Sequence, residues 1–195
     1  MKAEIEIPKG YKAEWVNGVL TLIQEKKEDL RPVTERVKTF EDACAELGED
    51  NNLVMMFKYI ASDGVTAGSE DLVAYLKLRI ITAALNEGWK PQFTDNEYRY
   101  YPWYNLCAEE EWRELSEYSK RKNGVLFGGN AHGGANAGFV YAYSRTAPSI
   151  TAAHFASRLC YKNSELALYS AKQFASLWLD FCYLPGTECK PYINE

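Results

Sequence analysis

Of all the side chains in this sequence, the imidazoles of His132 and His154 have ordinary pKa values closest to neutrality, which makes them the first candidates for acid–base chemistry. His132 is the better placed of the two, because it stands in the glycine-rich run Gly128 to Gly138 and loops carry function disproportionately. A catalytic histidine also needs an orienting carboxylate and a nucleophile or substrate within hydrogen-bond reach, and the sequence puts neither beside it. In the same run Gly129, Gly133 and Gly134 would let backbone N–H groups approach an anion closely. The run lacks the Gly-Lys-Ser/Thr of a P-loop and does not match G-x-G-x-x-G, so a loop joining two strands is the simpler reading.

A second candidate is the aromatic segment Tyr98-Arg99-Tyr100-Tyr101-Pro102-Trp103-Tyr104. As a strand it turns Tyr98, Tyr100 and Tyr104 to one side and Arg99, Tyr101 and Trp103 to the other. One side is expected to face the core. The other is a platform on which a base, a sugar ring or a partner's side chain can stack, with Arg158 and Lys162 as phosphate contacts if the ligand is a single-stranded nucleic acid. Coverage of both sides by a helix or a second subunit is the plainer alternative.

Cys44, Cys107, Cys160, Cys182 and Cys189 are odd in number, widely spaced and free of any C-x-x-C pair. They predict free thiols rather than a disulfide framework, and with the two histidines they lack the paired spacing of a zinc site. No metal and no cofactor are expected. A net charge of −5 argues against general binding to phosphate backbones or anionic lipid, and residues 139–183, with 4 basic and 2 acidic side chains, leave room only for a small basic patch. The apolar content of 47% supports a folded core, and the aromatic share of 14% is the compositional excess. No secretory signal and no bilayer-spanning run is recognised, so a cytoplasmic protein is expected.

These groups must be carried by elements that the pattern also predicts. Alternation and the Asn17-Gly18 pair between apolar runs predict an N-terminal hairpin, because a type I′ turn needs positive φ at both central residues. The charged residues 24–38 read as a linker, with residues 1–38 forming a hairpin subdomain or a swapped arm. Residues 39–184 read as the main domain and 185–195 as a loose tail. Thr39 and Ser69 are expected to cap helices over about 39–48 and 69–87, with a further short helix from Asn52 to Ala61. The 69–87 helix is apolar nearly all round and should be buried. A charged helix is expected over Ala108 to Lys122, strands near 139–145 and 156–162, and a last helix over 164–183. The fold class is therefore α+β: strands 97–104, 139–145 and 156–162 in an antiparallel sheet packed by helices 69–87 and 164–183. No regular β-α-β alternation is present to build a parallel sheet.

The segments Leu85-Asn86-Glu87-Gly88-Trp89-Lys90-Pro91, Tyr98 to Tyr104, and Ser157-Arg158-Leu159-Cys160-Tyr161 followed by Ala171-Lys172-Gln173-Phe174 resemble an uncharacterised family of small proteins from phages, prophages and other mobile elements of gut bacteria. The start, Ile5 to Tyr11, resembles short N-terminal segments of similar proteins. The resemblance implies a bacterial or phage-associated setting and carries no chemistry. The function expected is thus a non-enzymatic binding or assembly module that uses aromatic surface, with a protein partner or a second copy of itself and no membrane. Stacking of single-stranded nucleic acid or glycan is the first alternative, and a small-molecule enzyme lidded by the glycine-rich loop is the second.

Overall fold

The computed structural model of the chain describes residues 6–24, 29–62, 68–92, 94, 97–119, 125–127, 137–147, 157–182 and 189–191. The chain divides into two compact units, Met1–Arg31 and Pro32–Glu195.

The first unit holds β1 (Tyr11–Val16) and β2 (Val19–Gln24), an antiparallel hairpin in which Val16 faces Val19 across the turn. Asn17 at φ 51° and Gly18 at φ 81° supply the two left-handed residues, as the Asn-Gly pair predicts.

The second unit is the α+β body, and its strands pair antiparallel. Its helical half begins earlier than the sequence suggests. Val33 and Val37, within the stretch read as a charged linker, are buried in the core, and the one-turn α1 (Val33–Arg36) lies between Pro32 and Val37. Periodicity misses this because two valines four residues apart are too short a signal among charges. Helix α2 (Phe40–Leu47) starts with a reciprocal capping box, the Thr39 hydroxyl accepting from the Asp42 N–H while the Asp42 carboxylate accepts from the Thr39 N–H. Helices α3 (Asn52–Ser62) and α4 (Glu70–Leu85) follow. Phe40 and Phe57 meet edge to face with centroids 4.9 Å apart, and the Lys77 ammonium of α4 lies 5.3 Å above the Phe40 ring. As expected, α4 is the central helix: Leu78, Ile80, Ile81 and Leu85 are fully buried. Two details differ. Leu72, in the first turn, is exposed, and Ser69 makes no side-chain cap bond.

Strand β3 (Arg99–Ala108) pairs with β5 (Ala137–Ala147), with Trp103 opposite Tyr143 and a register shift between Asn105 and Leu106. Helix α5 (Glu109–Glu114) continues directly from β3; the helix expected over 108–122 is interrupted at 115–116, is helical again at 117–119, and its last residues lie outside the described residues. A separate small ribbon pairs β4 (Val125–Phe127) with β6 (Cys189–Pro191), so part of the expected tail is a strand. The last helix is two helices, α6 (Ser164–Gln173) and α7 (Ala175–Cys182), broken at Phe174, where φ −114° and ψ 32° leave the helical region. Tyr75 of α4 stacks on Phe181 of α7 at 5.4 Å.

The third strand, expected at 156–162, is the main departure. Ser157–Leu159 form a 3-10 turn, and the strand is reduced to one antiparallel bridge between Tyr100 and Tyr161, with Tyr161 N–H donating at 2.7 Å and Tyr100 N–H at 3.1 Å. The ladder stops because the chain leaves the extended conformation on both sides of Tyr161, for the 3-10 turn before it and for the cap of α6 after it. The Asn86 side-chain amide donates to the Cys160 carbonyl at 2.8 Å and its oxygen accepts from the Lys162 N–H at 3.1 Å, while Asn163 caps α6 by accepting from Leu166 N–H at 2.9 Å. Asn86 thus takes the place of an adjacent strand on the far side of Tyr161.

The Tyr161 phenol is fully buried. It donates to Ser170 Oγ at 2.6 Å and lies 3.0 Å from Thr82 Oγ1, and Trp178 Nε1–H also donates to Ser170 Oγ, at 3.1 Å. Since the single phenolic proton goes to Ser170, the Thr82 hydroxyl is the donor to Tyr161. Removing one member strands buried partners, at about 1–3 kcal/mol per unsatisfied group. Tyr161→Phe should therefore lower stability by about 1–3 kcal/mol and Asn86→Ala by about 2–4 kcal/mol, read as shifts in denaturant midpoint at unchanged slope. Asn86→Asp keeps the acceptor for Lys162 and loses the donor to Cys160, so it should also destabilise. Midpoints equal to wild type for Asn86→Ala would show that the clamp is not holding this junction.

Candidate functional site

The aromatic strand β3 and its junction with residues 157–162 gather most of the described candidate residues. The backbone fixes the two sides of β3 as expected: Tyr100 and Tyr104 pack against the core, and the Tyr104 hydroxyl donates to the Ala171 carbonyl of α6 at 2.8 Å. On the other side the Tyr101 and Trp103 rings are half-buried, with centroids 6.3 Å apart and planes tilted by 55°. Across the ladder, Tyr101 is paired with Arg145 and Trp103 with Tyr143. Tyr98, just before the strand, is exposed.

Arg99 is not on open surface. It is 4% exposed, and its charge acts on the neighbouring Cys160 thiol together with that of Glu97. Burial pushes that thiol up to about 11; the Arg99 charge pulls it down and the Glu97 charge pushes it further up. Burial thus favours the neutral thiol, and Cys160 packs in the interior. One carboxylate oxygen of Glu97 is buried and has no hydrogen-bond partner among the described residues.

Of the two residues expected to meet phosphate, Arg158 is exposed on the 3-10 turn. Lys162 is half-buried and its ammonium is 2.8 Å from the Glu87 carboxylate. Glu87 also pairs with Arg36 at 2.5 Å, and Arg36 in turn pairs with Glu46. Glu87 adopts φ 49°, a left-handed conformation uncommon for a residue with a side chain, and the two cations hold the carboxylate there. The Lys162 hydrogen bond above all holds the Glu87 carboxyl below its ordinary value, with the Arg36 charge adding to it. His132, Gly129, Gly133 and Gly134 lie outside the described residues, as does His154.

The residues that sequence reasoning did not single out are Asn86, Glu87, Thr82 and Ser170. The only local signal was Asn86-Glu87-Gly88 at a helix end, which reads as a stop and says nothing of a partner some 75 residues away. Among the described residues, no group of three His, Cys, Asp or Glu side chains is arranged to hold a metal ion, and no helix is long and apolar enough to cross a membrane. Comparison with protein-family models, with curated proteins and with solved structures finds no match to this chain.

Because the folded pKa of Glu87 is depressed, its ion pairs contribute fully above the ordinary glutamate value near 4.3 and are lost as pH falls through the lower folded value. Between about pH 5 and 3, Glu87→Gln should lose less stability than wild type does, while at pH 7 it should be the less stable protein. Parallel wild-type and variant curves of melting temperature against pH would show that the pairs add nothing.

Proposed function

We propose that this chain is a non-enzymatic binding or assembly protein that meets a protein partner with aromatic surface rather than with charge. One observation carries the reading: aromatic rings stand far out of the protein on separate elements, Tyr59 at 71%, Tyr118 at 70% and Tyr98 at 60% exposed in the second unit, and Trp15 at 74% in the first. Tyr and Trp give large, rigid contact area with a polar tip, which is why interfaces are enriched in them. On α3, Met55 and Met56 are exposed beside Tyr59, and unbranched thioether side chains adapt to an irregular partner. The Cys160 thiol, held in its un-ionised form, also fits a site without nucleophilic chemistry. A phage or mobile-element setting, as the resembling segments suggest, is part of this reading.

Stacking of a single-stranded nucleic acid or a glycan is the second reading, favoured by the adjacent Tyr101 and Trp103 rings. Its electrostatic part is weakened because Arg99 is buried and Lys162 is engaged by Glu87.

Tryptophan emission titrated with single-stranded oligonucleotides at low and high salt, and separately with oligosaccharides, decides between the two. The protein-partner reading expects no change in either titration. Quenching that weakens as salt is raised, and that is lost in Trp103→Phe, would replace it with nucleic-acid binding; salt-insensitive quenching by sugars would replace it with glycan binding.

A further inference from the structure

We infer that the outer edge of β1 is a self-recognition strand, which pairs antiparallel with β1 of a second copy of this chain about a two-fold axis through Ala13. This goes beyond the proposed function and does not depend on which partner the second unit takes.

The pairing follows from register. In a two-residue hairpin the pair closing the turn, here Val16 and Val19, exchanges hydrogen bonds, and bonded and non-bonded pairs then alternate along the ladder. Lys12, Glu14 and Val16 therefore spend their backbone groups on β2. Tyr11, Ala13 and Trp15 turn theirs to the opposite edge, and among the described residues β1 pairs with β2 alone. An edge strand of this kind is a template for another chain unless something blunts it. The Tyr11 N–H is already bonded to the Pro8 carbonyl at 3.0 Å, which leaves the Tyr11 carbonyl and the N–H and carbonyl groups of Ala13 and Trp15 facing outward.

Two copies of this edge fit each other. With Ala13 facing Ala13 of the other copy, the two alanines form a bonded pair with no side-chain crowding at the axis, and each Trp15 N–H meets the other copy's Tyr11 carbonyl. Tyr11 then faces Trp15, an aromatic cross-strand pair, and Lys12 faces Glu14 in a non-bonded pair, where side chains come closest. The same two side chains already attract each other within one chain, at 2.7 Å. Lys and Glu, which would protect an edge against most strands, are in this register complementary to themselves, and that commits the edge to a second copy.

The result is a four-stranded sheet ordered β2-β1-β1-β2. On one face it joins Tyr11, Ala13, Trp15, Leu20 and Leu22 of both copies. A lone two-stranded hairpin is marginal in water, whereas a wider sheet with a continuous apolar face is not. In the single chain, Trp15 is 74% and Leu22 42% exposed.

The test uses the full chain and charge reversal, read by sedimentation. Wild type should dimerise. Lys12→Glu sets glutamate against Glu14 across the axis, and Glu14→Lys sets lysine against Lys12, so each variant alone should dimerise at least roughly tenfold more weakly. Mixed in equal amounts, the two variants restore both opposite-charge pairs and should recover the dimer as a heterodimer. Because neither variant carries the complementary pair by itself, recovery on mixing cannot come from a repaired fold. A wild type that stays monomeric, single variants that dimerise like wild type, or a mixture that gains nothing would each overturn the inference.

Discussion

Tyr161 is the residue on which the second unit closes. Its backbone joins the sheet through Tyr100, the two peptide groups flanking it are held by the Asn86 amide at the end of α4, and its phenol is bonded to Ser170 of α6 and Thr82 of α4. Sheet, central helix and C-terminal helices are thereby referred to one fully buried side chain. Polar groups buried this deeply are tolerated only when each has a partner, so the network fixes position as well as energy: sliding the 157–162 segment by one residue would expose every one of these bonds to replacement by nothing. The Tyr161 hydroxyl, pushed up to about 12 chiefly by burial, remains a neutral donor across the ordinary pH range.

The same helix end organises the surface around this junction. Once Asn86 has turned inward, Glu87 must leave the helix in a left-handed conformation, and its carboxylate meets Lys162 from the junction and Arg36 from α1. The start of the unit is fastened a second time from the other direction, since the Tyr169 hydroxyl and the Gln173 amide of α6 donate to the carbonyls of Val37 and Lys38 at 2.7 and 2.8 Å. A stretch whose charges make it look like a tether is thus drawn into the core by two valines and by hydrogen bonds from residues more than a hundred positions away.

What the sequence made legible was local. Asn17-Gly18 specified its turn because only two left-handed residues satisfy it, Thr39 with Asp42 specified a helix start, and the alternation of 98–104 placed Tyr100 and Tyr104 on one side, without saying that this is the side that packs on the core. What stayed hidden depended on distant partners. Ser157 to Tyr161 has strand composition, yet its ladder ends after one bridge because a 3-10 turn precedes Tyr161 and the start of α6 follows it, while Asn86 holds the edge that faces away from β3. Arg99 stands at a position that alternation gives to the outer side, and it is buried all the same, beside Glu97 and Cys160. Lys162 looked available to phosphate until Glu87, 75 residues earlier, was found opposite it.

The two units therefore use their polar chemistry in opposite ways. In the second, the conspicuous polar side chains at the junction are committed to one another: Tyr161 to Ser170 and Thr82, Asn86 to the backbone, Lys162 and Arg36 to Glu87. Groups so engaged must be desolvated from each other before they can serve a ligand, which makes them poor starting points for catalysis and good ones for a fixed frame. The first unit has one hairpin and its own backbone, with half of the β1 hydrogen-bonding groups directed away from β2. On the function proposed above, the exposed rings of this frame would recognise a partner by shape and apolar contact, and the outer edge of the hairpin would recognise by backbone pairing. Both are modes of association that need no reacting group.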